Sequence, residues 1–346
     1  MSVPQHKAPT LRHVAHASQV SESTVSKIVN GTKRFSPEVE RRVHEAIAEL
    51  GYTANPHARS VITGKSRAIG VVVADILNPH FALLVKGINS VARTRGYTVL
   101  LTDSEESAEI ESELLRELIP RVDGLIVATR LSQSAIEQFS KLRPLALTSR
   151  PSGVEHVPTF GADGRLAGQI IGQYLVQSGH RRVSYLHLRQ GSEERLHGLR
   201  AAFAGTGVSL TVHLSGEPNI EGGVNAAGAL LLGTERPDAV VAYNDLMALG
   251  LMAEAQKYGF NVPADLSVIG VDDIPYAALT SPPLTTVQLH SRQEGAHAAE
   301  SLLNRIEGLE VPAYLPLHPQ LILRGSSRVR VPESPGTPSG SSVTSQ

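Results

Sequence analysis

The stretch from Ser21 to Val29 carries side chains suited to reading a polar surface. Ser21 can cap a helix there, Val25, Ile28 and Val29 fall on one apolar face, and Asn30-Gly31 stop it. Glu22, Ser23, Ser26 and Lys27 then face away from that stripe. A lysine donates to guanine O6 or N7 and a glutamate accepts from cytosine N4, so a short helix decorated this way suits the major groove of DNA. A second set of residues suits a small hydroxylated ligand. Asn244 and Asp272 can hydrogen-bond vicinal hydroxyls, Arg195 can fork onto hydroxyls, a carboxylate or a phosphate, and Phe81 offers an apolar or stacking wall.

Catalytic patterns do not emerge. No G-x-G-x-x-G follows the first strand-like run, and neither a full G-x-x-x-x-G-K-[ST] phosphate loop nor a G-x-S-x-G nucleophile elbow is present. His13 and His16 lie three apart but lack a third ligand nearby, so they read as surface histidines and no metal is expected. The chain has no cysteine, which excludes disulfides, thiolate zinc sites and a cysteine nucleophile. No cofactor is expected.

Three short helices must position the polar face. Thr10 caps one through about Ser18; Ser21 caps the second; Ser36-Pro37 opens a third, in which Val39, Val43, Ile47 and Leu50 form the apolar stripe and Gly51 the stop. From Ala68 the texture changes to apolar runs alternating with amphipathic helical patterns. AIGVVVA, YTVLLT, GLIVA and PLALTS read as strands, with helices near 80–95 and 109–118. After residue 160 the rhythm restarts: helices near 164–178, 193–203, 221–232 and 245–258 separate VSYLHL, LTVHL, AVVAY and LSVIGV. Such alternation implies parallel sheets with helices on both faces, and two consecutive runs imply two similar lobes. Ligands of parallel sheets sit at the carboxyl ends of strands, where A74-D-I-L-N-P-H-F81, R195-L-H-G198, Y243-N-D245 and G270-V-D-D273 fall. Of Asp272 and Asp273, one is expected to be a turn residue or cap.

Charge divides the chain in the same place. The first 67 residues hold ten basic and five acidic side chains, a net of +5, whereas the remaining 22 basic and 28 acidic residues give −6. A basic head on an acidic body is the footprint of a polyanion-binding module carried by something else. No run of eighteen apolar residues is present, so no transmembrane helix is expected, and the N-terminus has no apolar signal core. A cytoplasmic location fits.

The head T10-L-R-H-V-A-H-A-S-Q-V-S-E-S-T-V-S-K-I-V-N30, continued by S36-P-E-V and A48-E-L-G-Y-T-A-N-P-H-A-R59, resembles the N-terminal signature of the lactose-repressor (LacI/GalR) family. By that resemblance Glu22, Ser23 and Lys27 match base-reading positions, and Ser21, Thr24 and Asn30 match phosphate-contacting ones. Ser26 shares the exposed face. The resemblance also covers a hinge, N55-P-H-A-R-S-V61, which in the family folds as a short helix in the minor groove. There Asn55 and Arg59 fall on the hinge match, Ala58 is small enough for close approach, and Val61 stands where a leucine is wedged between bases. Two departures stand out. Gln19 replaces the usual turn glycine, which predicts a locally different turn, and His13 replaces an aspartate, with no partner evident.

The chain from Ala68 resembles the periplasmic-binding-protein-like effector domain of the same family. Arg195 lies where that fold carries an effector-contacting arginine, and Asn78, Ser149 and Arg150 fall on family pocket positions. Pro218 stands where an aromatic is common and Leu289 where a glutamine is common. The expected architecture is a helix-turn-helix head (1–54), a hinge (55–67), an α/β core of two doubly wound parallel-sheet lobes (68–326) and a disordered Ser/Pro/Gly-rich tail (327–346). The resemblance implies a homodimeric transcription regulator that binds a pseudo-palindromic operator in double-stranded DNA. A small polar effector, a sugar first and a nucleoside second, would control it. Two other readings stay open at this point: a nucleotide-binding enzyme with a basic N-terminal module, and a free solute-binding protein.

Overall fold

The computed structural model describes residues 9–29, 33–52, 65–148, 153–189, 193–311 and 316–328. They form two compact units, one ending at Ala68 and including Arg121–Asp123, the other continuing from Ile69.

The first unit contains α1 (Leu11–Ser18), α2 (Glu22–Val29) and α3 (Pro37–Leu50). Val14, Ala15, Val25, Val43 and Ala46 make its small core, and Leu11, Ile28 and Ile47 pack around them. These are the apolar positions of the helical period. The α1–α2 turn does not deviate as expected. Gln19 adopts the left-handed conformation itself, at φ 55°, with its N–H returned to α1 carbonyls. A non-glycine residue there costs roughly 1–2 kcal/mol. His13 has a partner after all: its Nδ1 accepts the N–H of Thr10 at 3.2 Å.

The second unit is two lobes of the same design. In the first, β1 (Ala68–Val73), β2 (Thr98–Asp103), β3 (Gly124–Val127), β4 (Leu145–Thr148) and β5 (Thr159–Phe160) assemble in the order β2-β1-β3-β4-β5. The pairs β1–β3, β3–β4 and β4–β5 are parallel. Helices α4 (Pro79–Thr94), α5 (Ala108–Leu118) and α6 (Gln133–Ser140) connect strands of this lobe. In the second lobe β6 (Arg182–Leu188), β7 (Ser209–Ser215), β8 (Ala239–Ala242) and β9 (Ser267–Ile269) run parallel in the order β7-β6-β8-β9. Its helices are α7 (Gly164–Gln177), α8 (Glu194–Phe203), α9 (Ile220–Leu231) and α10 (Asp245–Lys257). The strand order reverses between β1 and β3 and again between β6 and β8, so each lobe opens a crevice at equivalent strand ends.

Sequence periodicity predicts nothing after β9, yet the chain crosses between lobes there. β10 (Thr286–Gln288) continues the second lobe, α11 (Ser291–Glu307) packs on α4 and the first-lobe strands, and β11 (Gln320–Ile322) returns to pair antiparallel with β10. The apolar stripe of α11, Ala298, Ala299, Leu302 and Leu303, is short and flanked by Ser, His, Asn and Glu, which hides it from a pattern search. The helix α6 and the strand β5 were likewise not anticipated. The core also runs past its expected limit at 326. Ser327 hydrogen-bonds Tyr174 and Thr285 at 2.9 Å each, and the N–H of Arg328 donates to Ser267 at 3.3 Å.

Three helix pairs are seated by facing glycines. A Cβ on Gly87 of α4 would lie 1.9 Å from the Arg292 carbonyl of α11, and one on Gly295 of α11 would lie 2.1 Å from the Leu84 carbonyl. Gly168 and Gly198 do the same for α7 and α8, Gly223 and Gly250 for α9 and α10. Backbone meets backbone at each crossing, which fixes both the separation and the rotation of the helices. Gly198 matters most for chemistry because α8 also carries Arg195. Gly198→Ala puts a methyl 2.0 Å from the Arg165 carbonyl. It should destabilise the core by about 1–3 kcal/mol, the cost of overpacking, or more where backbone cannot yield. Thermal unfolding checks this; an unchanged melting temperature would show that α8 has room to move.

Candidate functional site

On the first unit, α2 presents its polar face as the period requires. Val25 is buried, while Glu22, Ser23 and Lys27 are exposed and Ser26 and Thr24 half-buried. The Ser21 hydroxyl accepts the N–H of Thr24 at 3.1 Å and hydrogen-bonds the hydroxyls of Ser23 and Thr24 at 2.9 Å each. Ser21 and Thr24 therefore hold the first turn of α2 as well as flanking its exposed end. Asn30, and the hinge residues Asn55, Ala58, Arg59 and Val61, lie outside the described residues.

The second unit encloses a cavity of about 790 Å³ walled by both lobes. Of the residues expected there, Asn78, Phe81, Arg195, Asn244 and Asp272 all line it; Ser149 and Arg150 lie outside the described residues. Pro218 and Leu289 also line it. Every one of these follows a strand end or opens the helix after it, so the topology itself delivers them.

Local structure sets each group. Asn78 caps α4, with Oδ1 accepting the N–H of His80 at 3.0 Å. Asn244 caps α10 by accepting the N–H of Met247 at 2.9 Å and gives its Nδ2 to the Pro218 carbonyl at 2.6 Å. Asn244 is thus a cap and a brace between loops as well as part of the cavity wall. Arg195 donates Nη1 to the Tyr243 carbonyl at 2.6 Å, and its guanidinium lies 5.1 Å from the centre of the Tyr243 ring.

The two neighbouring aspartates separate as expected. Asp273 is held by Arg324 at 2.6 Å and by Gln288 at 2.9 Å, a structural anchor. Asp272 sits at φ 124° and meets the cavity. Its neighbour across the lobes is His80, with 3.6 Å between Nδ1 and the carboxylate, while the same Nδ1 is 2.8 Å from the Ser291 hydroxyl. Burial, then the Arg195 and Arg130 guanidiniums, pushes His80 down to about 4, so at neutral pH it is uncharged and the contact with Asp272 is not an ion pair. Burial raises Asp272, against the opposing pull of Arg195 and Asn78. Burial also raises Asp245 behind it, and repulsion from Asp272 adds to that.

Sequence reasoning missed part of the wall. His80, Phe160, Tyr243, Glu106 and Arg130 all line the cavity. Glu106 and Arg130 form an ion pair at 2.5 Å, with side chains 25% and 14% exposed. Glu105 and Glu106 are consecutive left-handed residues, at φ 51° and 60°. Two such residues cost roughly 2–4 kcal/mol together, which marks the turn after β2 as built for a purpose other than stability. Phe160 ends β5, and Tyr243 supplies an aromatic from the second lobe although Pro218 occupies the usual aromatic position. Among the described residues no group of three or more His, Asp or Glu is arranged to hold a metal ion.

The titrating groups make opposite contributions to stability. His80 titrates at 6.5 when unperturbed and at about 4 in the fold. The folded core therefore binds fewer protons than the unfolded chain, and loses roughly 3 kcal/mol as pH falls from above 6.5 through about 4. Asp245 and Asp272, raised in the fold, bind a proton before the unfolded carboxylates do, so their penalty is present at high pH and is relieved as pH falls toward 3.8. Asp272→Asn tolerates a positive φ and removes the penalty. It should raise stability at pH 8 by about 1–3 kcal/mol and steepen the loss below pH 6.5. Thermal unfolding of both proteins between pH 8 and 4 checks it; parallel profiles would show that Asp272 is ionised in the fold at no cost.

Residues 10–55 match the family described as bacterial regulatory proteins, lacI family, and residues 173–327 match the periplasmic binding protein-like domain. The chain is 32% identical to the HTH-type transcriptional repressor PurR of Vibrio cholerae, over 91% of this chain and 97% of that one. The structure of the lac repressor dimer bound to operator and the anti-inducer ONPF is similar at a TM-score of 0.84 and 25% identity, covering 93% of this chain and all of that one. The complex of the transcriptional regulator CelR with cellobiose gives a TM-score of 0.69 at 29% identity, covering 92% of this chain and all of that one. These full-length similarities set aside the enzyme and free solute-binding readings. The chain belongs to the LacI family and is a DNA-binding transcriptional repressor with an effector-binding core.

Proposed function

We propose that two copies of this chain read a pseudo-palindromic operator in cytoplasmic DNA, and that a sugar bound between the core lobes changes their operator affinity. The observation that carries the reading is the cavity. Its walls come from both lobes, so an occupant bridging Asn78 and Phe81 on one side and Arg195 and Asp272 on the other couples to lobe movement. Two similar proteins have small-molecule occupants, the lac repressor the anti-inducer ONPF and CelR cellobiose, and the second supports a sugar. A cavity of 790 Å³ also falls in the range that encloses molecules larger than one sugar ring.

In the head, Glu22, Ser23 and Lys27 would meet base edges in the major groove, with Ser26 beside them. Ser21, Thr24 and Asn30 would meet phosphates. Asn55, Ala58, Arg59 and Val61 would form the minor-groove hinge, as the family resemblance implies. Dimer formation is supported by the lac repressor dimer and by exposed apolar side chains on both lobes, Leu77 at 82% and Leu279 at 79%.

Two substitutions test the two halves separately. Lys27→Ala should cost about 1–3 kcal/mol of discrimination between a DNA site selected from a random pool and a mismatched one. Equal losses on selected and random DNA would remove Lys27 from base reading. Arg195→Ala should leave effector-free operator binding intact and weaken the sugar response by about 1.5–3 kcal/mol, the worth of a charged hydrogen bond in a partly dry site. Calorimetry with a panel that includes cellobiose, ribose and uncharged nucleosides measures it. Unchanged affinity for the ligand that binds would place the pocket elsewhere, and a nucleoside as the tightest ligand would replace the sugar.

A further inference from the structure

Six carboxylates line the cavity among the described residues, namely Glu106, Glu155, Asp163, Glu194, Asp272 and Glu294, against the two guanidiniums of Arg130 and Arg195. On the second-lobe wall the Arg195 guanidinium gives Nη1 to the Tyr243 carbonyl, lies over the Tyr243 ring and feels the charge of Asp272. On the first-lobe wall Arg130 is the one such cation among the described residues, and Glu106 takes its Nε at 2.5 Å.

The pair ties the turn after β2 to the loop after β3, and neither the cap of α5 nor the Arg130 N–H depends on it. Ser107 already caps α5, accepting the N–H of Ile110 at 3.3 Å, and Glu111 already accepts the N–H of Arg130 at 2.7 Å. Yet the backbone is bent into two consecutive left-handed residues to bring Glu106 there, and its N–H is tied to the Ala74 carbonyl at 2.7 Å.

We propose that Glu106 is the charge selector of the cavity. By occupying Arg130 it withholds a guanidinium from any anion and presents a paired edge of donors and acceptors instead. The effector is then an uncharged, hydroxyl-rich molecule, and its phosphorylated or carboxylated forms are rejected. The proposal rests on the cavity being the effector site. Repulsion from the surrounding carboxylates supplies the rejection, and the released Arg130 would reverse it by making charge-assisted bonds to a phosphate.

The test needs no knowledge of the natural effector. Inorganic phosphate is titrated calorimetrically, at matched ionic strength, into the full-length protein, Glu106→Gln, and the double variant Glu106→Gln/Arg130→Gln. Phosphate binding to the basic head is common to all three and cancels. Glu106→Gln should gain a phosphate site at least about tenfold tighter than any in the unaltered protein, and the double variant should lose it. Glu106→Asn, which suits a positive φ and also lacks the charge, gives the same reading should glutamine unsettle the turn. Superimposable titrations of the unaltered protein and both single variants would overturn the proposal, as would a gain that survives removal of Arg130. Loss of the sugar response in Arg195→Ala is read separately, so a failure of the effector-site reading is distinguishable from a failure of the selector.

Discussion

The cavity depends on one buried carboxylate that never enters it. Asp245 opens α10 and accepts the hydroxyl of Thr286 at 2.5 Å and the N–H of Ile274 at 2.9 Å. Its own N–H donates to the Val271 carbonyl at 2.8 Å. These bonds pin both sides of the turn after β9. The fit is tight enough that a Cβ on Gly270 would lie 2.1 Å from the Asp245 carboxylate. Held this way, the chain forces Asp272 to φ 124° and aims Asp273 toward Arg324. The cost is two acids close together out of water, each raised by burial. Natural sites keep such strain where it positions a group for binding.

The same turn lies where the chain changes lobes. Asp272 bridges backbone to Gln288 on β10, and three residues beyond Gln288 the chain enters α11 in the first lobe. Asp272 also approaches His80 of that lobe. Ligand contacts, lobe crossing and the first-lobe helix pair α4–α11 are thus within a few residues of one another. An occupant that engages Asp272 acts on the segment that joins the lobes, which is the physical basis for coupling the cavity to the rest of the molecule.

Much of this was legible in the sequence because it is local. The helices of the head follow from caps, stops and an apolar period. The strands and helices of both lobes follow from their alternation. Phe81, Asn244 and Asp272 are legible because each lies past a strand, where parallel sheets place ligands, while Asn78 and Arg195 follow from the family resemblance. What escaped was non-local. α11 belongs to the first lobe although it follows the second in sequence, and β10 and β11 are three residues each. Glu106 and Arg130 are ordinary loop charges until the fold brings them together from 24 residues apart. Gln19 shows the opposite limit: its side chain predicted a distorted turn, but the packing of α1 on α2 imposes the left-handed conformation regardless. The role of Asp273 as an anchor rests on Arg324, far along the chain.

The central claim is that the cavity organised by this turn governs the operator affinity of the head. The measurement that meets it most directly is the affinity of the full-length chain for a selected operator across a titration of sugars, for the unaltered protein and for Asp272→Asn. Operator affinity should change saturably with one sugar in the unaltered protein. In Asp272→Asn the sugar-free affinity should stay the same, while the response moves to at least about tenfold higher sugar concentration. An unchanged response in Asp272→Asn, or an operator affinity indifferent to every small molecule that fills the cavity, would contradict the claim.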